Sequence, residues 1–336
     1  MWRALIYIAC GVVCNIAFPA GEVMAQNPAF RTEANVVQVP VGVTGRNGHD
    51  VEGLQARDFT VRDNGVTREI TLDVFGAGAA PISLAIAVQS AGISTPALKK
   101  IRRIGSMIQP LVIGTRGEAA VVTFDSEINW VQDFTRDPVA IRNAFTSLKP
   151  FKSTQARMYD AIAEVADHMK DRKGRKVLLL ISESRDRSST IKFEEAMDAI
   201  QREGIEVFAA HYSAAATAFA SKPEDLQQIH DAPIPNIDGP DGPPTASILQ
   251  ILPELFRLAK TNAIAALTQA TGGSDYPFLK ERGIENAIEK LGVEVHSQYI
   301  LNFPLPQGAR GTHKIDVLVP DHADYRIRAR QAYRAQ

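Results

Sequence analysis

Cysteine is almost missing from this chain. Its 336 residues include two, Cys10 and Cys14. Both fall in an N-terminal apolar stretch that reads as an export signal. The chain left after cleavage has none, which excludes disulfide staples, thiolate metal sites and cysteine nucleophiles together. An excess of charge is missing too. Thirty-seven Lys and Arg stand against 38 Asp and Glu, a formal net charge of −1. That balance argues against a general binder of nucleic acid or of membrane surfaces. The seven histidines lack the spacing of zinc ligands and read as surface or core residues. Ser182 lacks the Gly-x-Ser-x-Gly elbow of a hydrolase. His211 and His296 could approach a serine in space, but nothing in the sequence selects a triad. No Gly-Lys-Ser/Thr follows Thr271-Gly272-Gly273, so that stretch reads as a helix stop rather than a phosphate loop.

What is present begins with the signal, residues 1–25. Arg3 is its positive region, ALIYIACGVVCNIAF its apolar stretch, and Val23 and Ala25 its small-residue cleavage positions before Gln26. The apolar stretch is short against the ~20 residues of a membrane span. Cleavage and release are therefore favoured over an anchor, and neither cysteine has the small-residue context of a lipoprotein. The expected location is secreted or periplasmic, with no membrane span once the signal is removed.

Residues 35–75 read as β-structure. Val37, Val39, Val41 and Val43 alternate on one face. FTVRDNGVTREITLDVF looks like two strands around Asp63-Asn64-Gly65, with Leu54 and Phe59 covering the open face. The rhythm then changes. ISLAIAV, EAAVVTFD, KVLLLISES and IEVFAAHYS are apolar runs suited to central strands buried on both faces, and EINWVQDFT reads as an edge hairpin. Between them lie helical patterns at 96–113, in DPVAIRNAFTSL, in RMYDAIAEVADHMKD and in KFEEAMDAIQREG, the last closed by Gly204. This alternation predicts a doubly wound, mostly parallel sheet, in which ligands bind beyond the carboxyl ends of the strands.

Residues 213–262 interrupt the pattern with a Pro/Gly-rich insertion, a disordered segment or a protruding loop, that ends in a short amphipathic helix. This insertion and its helix read equally well as a partner-docking feature or as a flexible segment without function. NAIAALTQATGG and GIENAIEKLGVEV read as further helices. SQYILNFPL, GTHKIDVLVP and YRIRARQAY then alternate like strands. RIRAR places Arg326, Arg328 and Arg330 on one strand face, read as solvated in preference to an anion site. The expected division is an N-terminal β module at 26–78, an α/β domain at 79–297, and terminal strands at 298–336 that join the N-terminal module.

The segments GHDVEGLQARDFTVRDNG, AAVVTFDSEINWVQDFT, KVLLLISESRD, LTQATGGSDY, SQYILNFPL and RIRARQAY resemble the von Willebrand factor A-related proteins abundant in Acidobacteria. The resemblance covers residues 35–212 and 262–334. It implies an α/β fold: a Rossmann-like von Willebrand A domain, a mostly parallel sheet with helices on both faces, beside a small β module. That fold usually carries a metal-ion-dependent adhesion site, with Asp-x-Ser-x-Ser after the first strand, a Thr on a second loop and an Asp on a third. Mg²⁺ there takes hard oxygen ligands in an octahedral shell. Matched to that pattern, Gln89 stands at the Asp, Ala91 and Ile93 at the two Ser, Ala156 near the Thr, and Glu183 at the third-loop Asp. Only Glu183 remains an ionised ligand. A register shift would bring in Ser90 and Ser94, and Asp125, Asp186 and Glu183 form an alternative acidic set. Neither restores the standard set.

The resulting expectation is an exported, non-catalytic protein–protein interaction module with a degenerate adhesion site, no cofactor, no metal and an unidentified protein partner. Its candidate binding loops carry Gln89, Ser90, Ala91, Ile93, Ala156, Glu183 and Asp186. A cell-envelope enzyme with a loop-assembled site, or a structural scaffold, are the alternatives.

Overall fold

The computed structural model describes residues 36–73, 80–91, 94–183, 185–212, 252–278 and 283–335. Residues 1–25, expected to be an export signal, Ile93, and residues 213–251 of the Pro/Gly-rich insertion lie outside these described residues.

Alternation makes β1 (Val36–Thr44) a strand buried on one face, with Val37, Val39, Val41 and Val43 all in the core. β2 (Thr60–Asp63) and β3 (Val66–Arg68) form a hairpin. Its turn needs positive φ at both central positions, supplied by Asn64 at 48° and Gly65 at 81°. The run after the turn divides, and β4 (Thr71–Asp73) leaves the hairpin for a different sheet. Three strands thus stand where the residue pattern suggests two.

The larger sheet follows. β5 (Ile82–Gln89) is buried along its whole length. Leu84, Ile86 and Val88 face one layer of helices, and Ala85 and Ala87 face the other. Next come α1 (Thr95–Ile101) and α2 (Gly105–Ile108), with a wide helical turn at Gln109–Ile113. The pattern at 96–113 suggests a single helix, but the chain breaks it. Pro110 has no N–H to continue an α-helical ladder, and Gly105 lies so close to the helix at Pro138–Ser147 that a Cβ would meet Phe145 Cβ at 2.9 Å. β6 (Glu118–Phe124), β7 (Ile128–Thr135), α3 (Pro138–Ser147), α4 (Met158–Met169), β8 (Arg175–Glu183), α5 (Phe193–Glu203) and β9 (Glu206–Tyr212) continue the winding. After α6 (Pro253–Thr261) and α7 (Ala263–Thr271), β10 (Asp275–Pro277) adds a strand beside β9 that the apolar runs do not announce. α8 (Gly283–Ser297) completes the helical layers. The strand order is β10-β9-β8-β5-β6-β7, parallel except for the edge strand β7. This is the doubly wound architecture that the alternation predicts.

β11 (Tyr299–Pro304), β12 (Gly311–Leu318), β13 (Arg326–Ala329) and β14 (Ala332–Ala335) return to the opening strands. Two four-stranded sheets result, β13-β1-β11-β4 and β14-β12-β2-β3. They share one core that includes Val39, Val41, Phe59, Val61, Leu301, Phe303, Ile315 and Tyr333. The small β module is therefore built from both ends of the described chain.

The module joins the amino-terminal edge of the larger sheet. Arg175 and Glu206, which open β8 and β9, form a buried ion pair at 2.9 Å. Gln298, just ahead of β11, bonds both. RIRARQAY is not one strand: it turns a corner at Arg330 and Gln331 and passes from one sheet to the other. Arg330 is accordingly no part of a solvated face. It is buried, donating to the carbonyl of Gln38 at 3.2 Å and to Gln201 Oε1 at 3.3 Å. Burial pushes its guanidinium down to about 10, opposed by Glu206 and Tyr333. Arg328 pairs with Glu294 of α8 at 2.5 Å. Burial raises the pKa of that carboxyl, and Arg328, Tyr276 and Ser274 oppose the shift.

Candidate functional site

With the β module at the amino-terminal edge, the opposite edge is shaped by the loops after β5, before α4 and after β8. Gln89 ends β5 fully buried, and its Oε1 accepts the N–H of Glu183 at 2.9 Å. The amide thus ties the ends of β5 and β8 together. Ser90 donates from Oγ to Asp125 Oδ2 at 2.6 Å. The other oxygen of Asp125 accepts from Ser126 Oγ at 3.0 Å and from the N–H of Glu127 at 3.2 Å, closing the β6–β7 turn. Ala91 is fully buried. Ser94 is also fully buried and accepts the hydroxyl of Tyr212 at 2.6 Å.

Ala156, buried just ahead of α4, presents its carbonyl to the N–H of Arg187 at 3.0 Å. Arg187 then reaches back to Glu183, Nε to Oε1 at 2.5 Å, with the carboxylate side chain only 2% exposed. A guanidinium is thus the cation beside the one acidic residue of the matched set. The second oxygen of Glu183 and the Nε2 of Gln89 have no partner among the described residues.

Asp186 has a different task. α4 begins at Met158, and the preceding Arg157 gives no side-chain cap. Asp186 Oδ1 supplies one from another loop, accepting the N–H groups of Met158 at 2.8 Å and Tyr159 at 3.2 Å. Ser189 Oγ takes the N–H groups of Tyr159 and Asp160, at 3.0 and 3.1 Å. An anion and a hydroxyl at a helix amino terminus satisfy orphan donors and favour the dipole. Asp160 returns the contact. It accepts from the N–H of Thr190 at 2.9 Å, the N–H of Ile191 at 3.1 Å and Arg157 Nε at 2.7 Å. The two segments are clamped in both directions.

Gln89, Ser90, Ala91, Ala156, Glu183 and Asp186 therefore lie on connected loops. Their polar atoms chiefly hold those loops to one another. Ser90 and Asp125 satisfy each other, Ser94 serves Tyr212, and Asp186 caps a helix. Among the described residues, no group of three or more His, Cys, Asp or Glu is placed to hold a metal ion. Arg187 and Asp160 are essential to this arrangement and stand out only in space. Their sequence signals, an arginine four residues after Glu183 and an aspartate in the first turn of a helix, are common ones.

Burial works against the charge on Asp160, but its backbone and side-chain donors prevail and lower its pKa below the ordinary 3.8. A carboxyl whose folded pKa is depressed stabilises the fold above its unfolded pKa, and that contribution is lost as pH falls through the folded value. Asp160→Asn should thus lose about 1.5–3 kcal/mol at neutral pH, the scale of hydrogen bonds to a charged group. Urea melts of both proteins at falling pH check this. The gap should close below the folded pKa, and a gap independent of pH would contradict the assignment.

His211 Nδ1 meets Asp275 Oδ1 at 2.5 Å. Ser182 stands beside His211 in the β8–β9 register, yet it is fully buried with its hydroxyl on Met158 Sδ at 3.8 Å.

No protein-family model matches the chain, and no curated protein matches it. Solved structures give low similarities. The chain is similar to BatB from Bacteroides thetaiotaomicron at 13% identity and a TM-score of 0.43, over 64% of this chain and 98% of that one. An aerotolerance-related membrane protein from Bacteroides fragilis aligns at 13% identity and 0.41, over 63% and 99%. The vWF domain of the type V pili tip protein Mfa5 from Porphyromonas gingivalis aligns at 16% and 0.29, over 33% and 40%. Strand order and packing, rather than these scores, define the architecture described above.

Proposed function

We propose that this chain is an exported, non-catalytic interaction module of von Willebrand A type. Its carboxyl-edge loops engage another protein without a bound metal. The observation that supports this most is the fate of the adhesion-site positions. A divalent hard cation needs several free oxygens in an octahedral shell. Ala91 and Ala156 have no side-chain oxygen. The carbonyl of Gln89 is neutral and already accepts an N–H, and Glu183 is held by Arg187. These residues do not fit a Mg²⁺ site. They fit a rigid platform whose loops are braced from within.

The envelope-enzyme reading has one observation in its favour, the His211–Asp275 pair. The serine beside it in the β8–β9 register, Ser182, is buried and offers no accessible hydroxyl.

Calorimetric titration with Mg²⁺ and Mn²⁺, with melting in the presence and absence of chelator, tests the proposal. A ligand stabilises a fold only in proportion to its occupancy. The expected result is no stoichiometric binding and an unchanged melting temperature at millimolar metal. Micromolar binding that disappears in Glu183→Ala would return the chain to the metal-dependent adhesion class.

A further inference from the structure

The loops of the carboxyl edge expose three basic side chains and an aromatic ring. Lys149, Phe151 and Lys152 are exposed on the segment between α3 and α4, and Phe151 has 50% of its surface in solvent. Arg185 is exposed on the loop after β8. Lys149, Lys152 and Arg185 have no ion-pair partner among the described residues. The backbone joins these loops into one surface: the N–H of Phe151 bonds the Ser90 carbonyl at 2.8 Å, and the N–H of Arg187 bonds that of Ala156 at 3.0 Å. Four acids of this edge are turned inward. Asp125 is held by Ser90, Asp160 by Thr190 and Ile191, Asp186 by the start of α4, and Glu183 by Arg187. Glu127, on the β6–β7 turn, is an exposed acid on this edge.

We propose that this rim docks an acidic segment of a protein partner, its carboxylates against Lys149, Lys152 and Arg185 and an apolar side chain against Phe151. The inference rests on the interaction reading above and adds the partner's chemistry. Fixed side-chain cations attract carboxylates with no metal between them, and complementary charge speeds encounter and selects partners. An exposed aromatic within such a patch is a side-chain type enriched in the cores of protein interfaces. A few cations on a chain of net charge −1 suit a short acidic peptide better than a polyanion, whose binding draws on many phosphate contacts.

The test uses the full chain and three labelled peptides of equal length, repeats of Glu-Leu, Gln-Leu and Lys-Leu. Fluorescence anisotropy reads affinity, and hydrogen exchange reads protection of residues 148–157. The Glu-Leu peptide should bind, unaffected by chelator, and about tenfold more weakly to Lys149→Glu/Lys152→Glu, a change of the order expected for lost charge pairs. Phe151→Ala should weaken it several-fold. Lys99→Glu/Lys290→Glu, with the same change in net charge, should bind as the parent does, and melting curves confirm that each variant is folded. Equal weakening in both charge-reversed proteins, or preference for phosphatidylserine vesicles over the peptide, would overturn the proposal. Protection of 148–157 by the Gln-Leu or Lys-Leu peptide instead would overturn the acidic partner and leave the interaction reading standing. Protection by none of the three would count against both.

Discussion

Arg175→Met is expected to cost about 3–5 kcal/mol, the range for removing one partner of a buried ion pair. Arg175 and Glu206 are 6% and 3% exposed. The guanidinium also donates to the carbonyl of Val295 at 2.6 Å and to Gln298. Methionine fills much of the arginine volume, so most of the loss comes from a carboxylate left buried without its cation. The double variant Arg175→Met/Glu206→Leu removes that charge and should recover a large part of the loss. Urea denaturation of the two single variants and the double variant tests this as a cycle. A single-variant loss below about 1 kcal/mol, the scale of an exposed pair, would mean that water reaches the network.

The second large effect is expected at Gly273. A Cβ there would stand 2.0 Å from the carbonyl oxygen of Val207 and 2.7 Å from its carbon. Both contacts are backbone of β9, and β9 is held in place by the N–H of Ala209 on the carbonyl of Ser274 at 2.9 Å. No side chain can turn aside to make room. Gly273→Ala should therefore cost about 3 kcal/mol or more, the upper range for overpacking a core. Gly48→Ala is the control. Gly48 has φ 76° but nothing within 4 Å of an added Cβ, so it should lose only the left-handed penalty of about 1–2 kcal/mol. Thermal melts of the two variants compare close approach with conformation alone, and equal shifts would contradict the crowding at Gly273.

That glycine shows what a linear pattern can and cannot carry. Thr271-Gly272-Gly273 reads as a helix stop, and Gly272 at φ 87° does end α7. The closeness of β9 to Gly273 is a property of the packed sheet and has no local signature. The same limit applies to Arg330. Alternation places it on a strand face, but the corner that buries it exists only because β13 and β14 belong to different sheets. Burial itself was legible where it recurs with a period: the four valines of β1 and the continuous runs of β5, β8 and β9 follow directly from residue order. Around the site, residue types excluded ligands at Ala91 and Ala156 without any coordinates. Arg187 beside Glu183, and Asp186 capping α4 from another loop, required the fold, because loop conformation decides which charges meet.

The splicing of the β module from both ends also dictates a timetable. His313 and Asp63 are neighbours separated by 250 positions of sequence, and Tyr333 and Asp63 by 270. During synthesis, the opening strands emerge long before the strands that complete their sheets. The parallel sheet has its strands β5 to β9 available much earlier. A nascent chain must therefore carry β1, with its row of valines and unpaired edges, until β11 and β13 have been made. A chain truncated before β11 would keep that strand open permanently, a template for edge-to-edge aggregation. The late strands thus act as a quality check on the early ones.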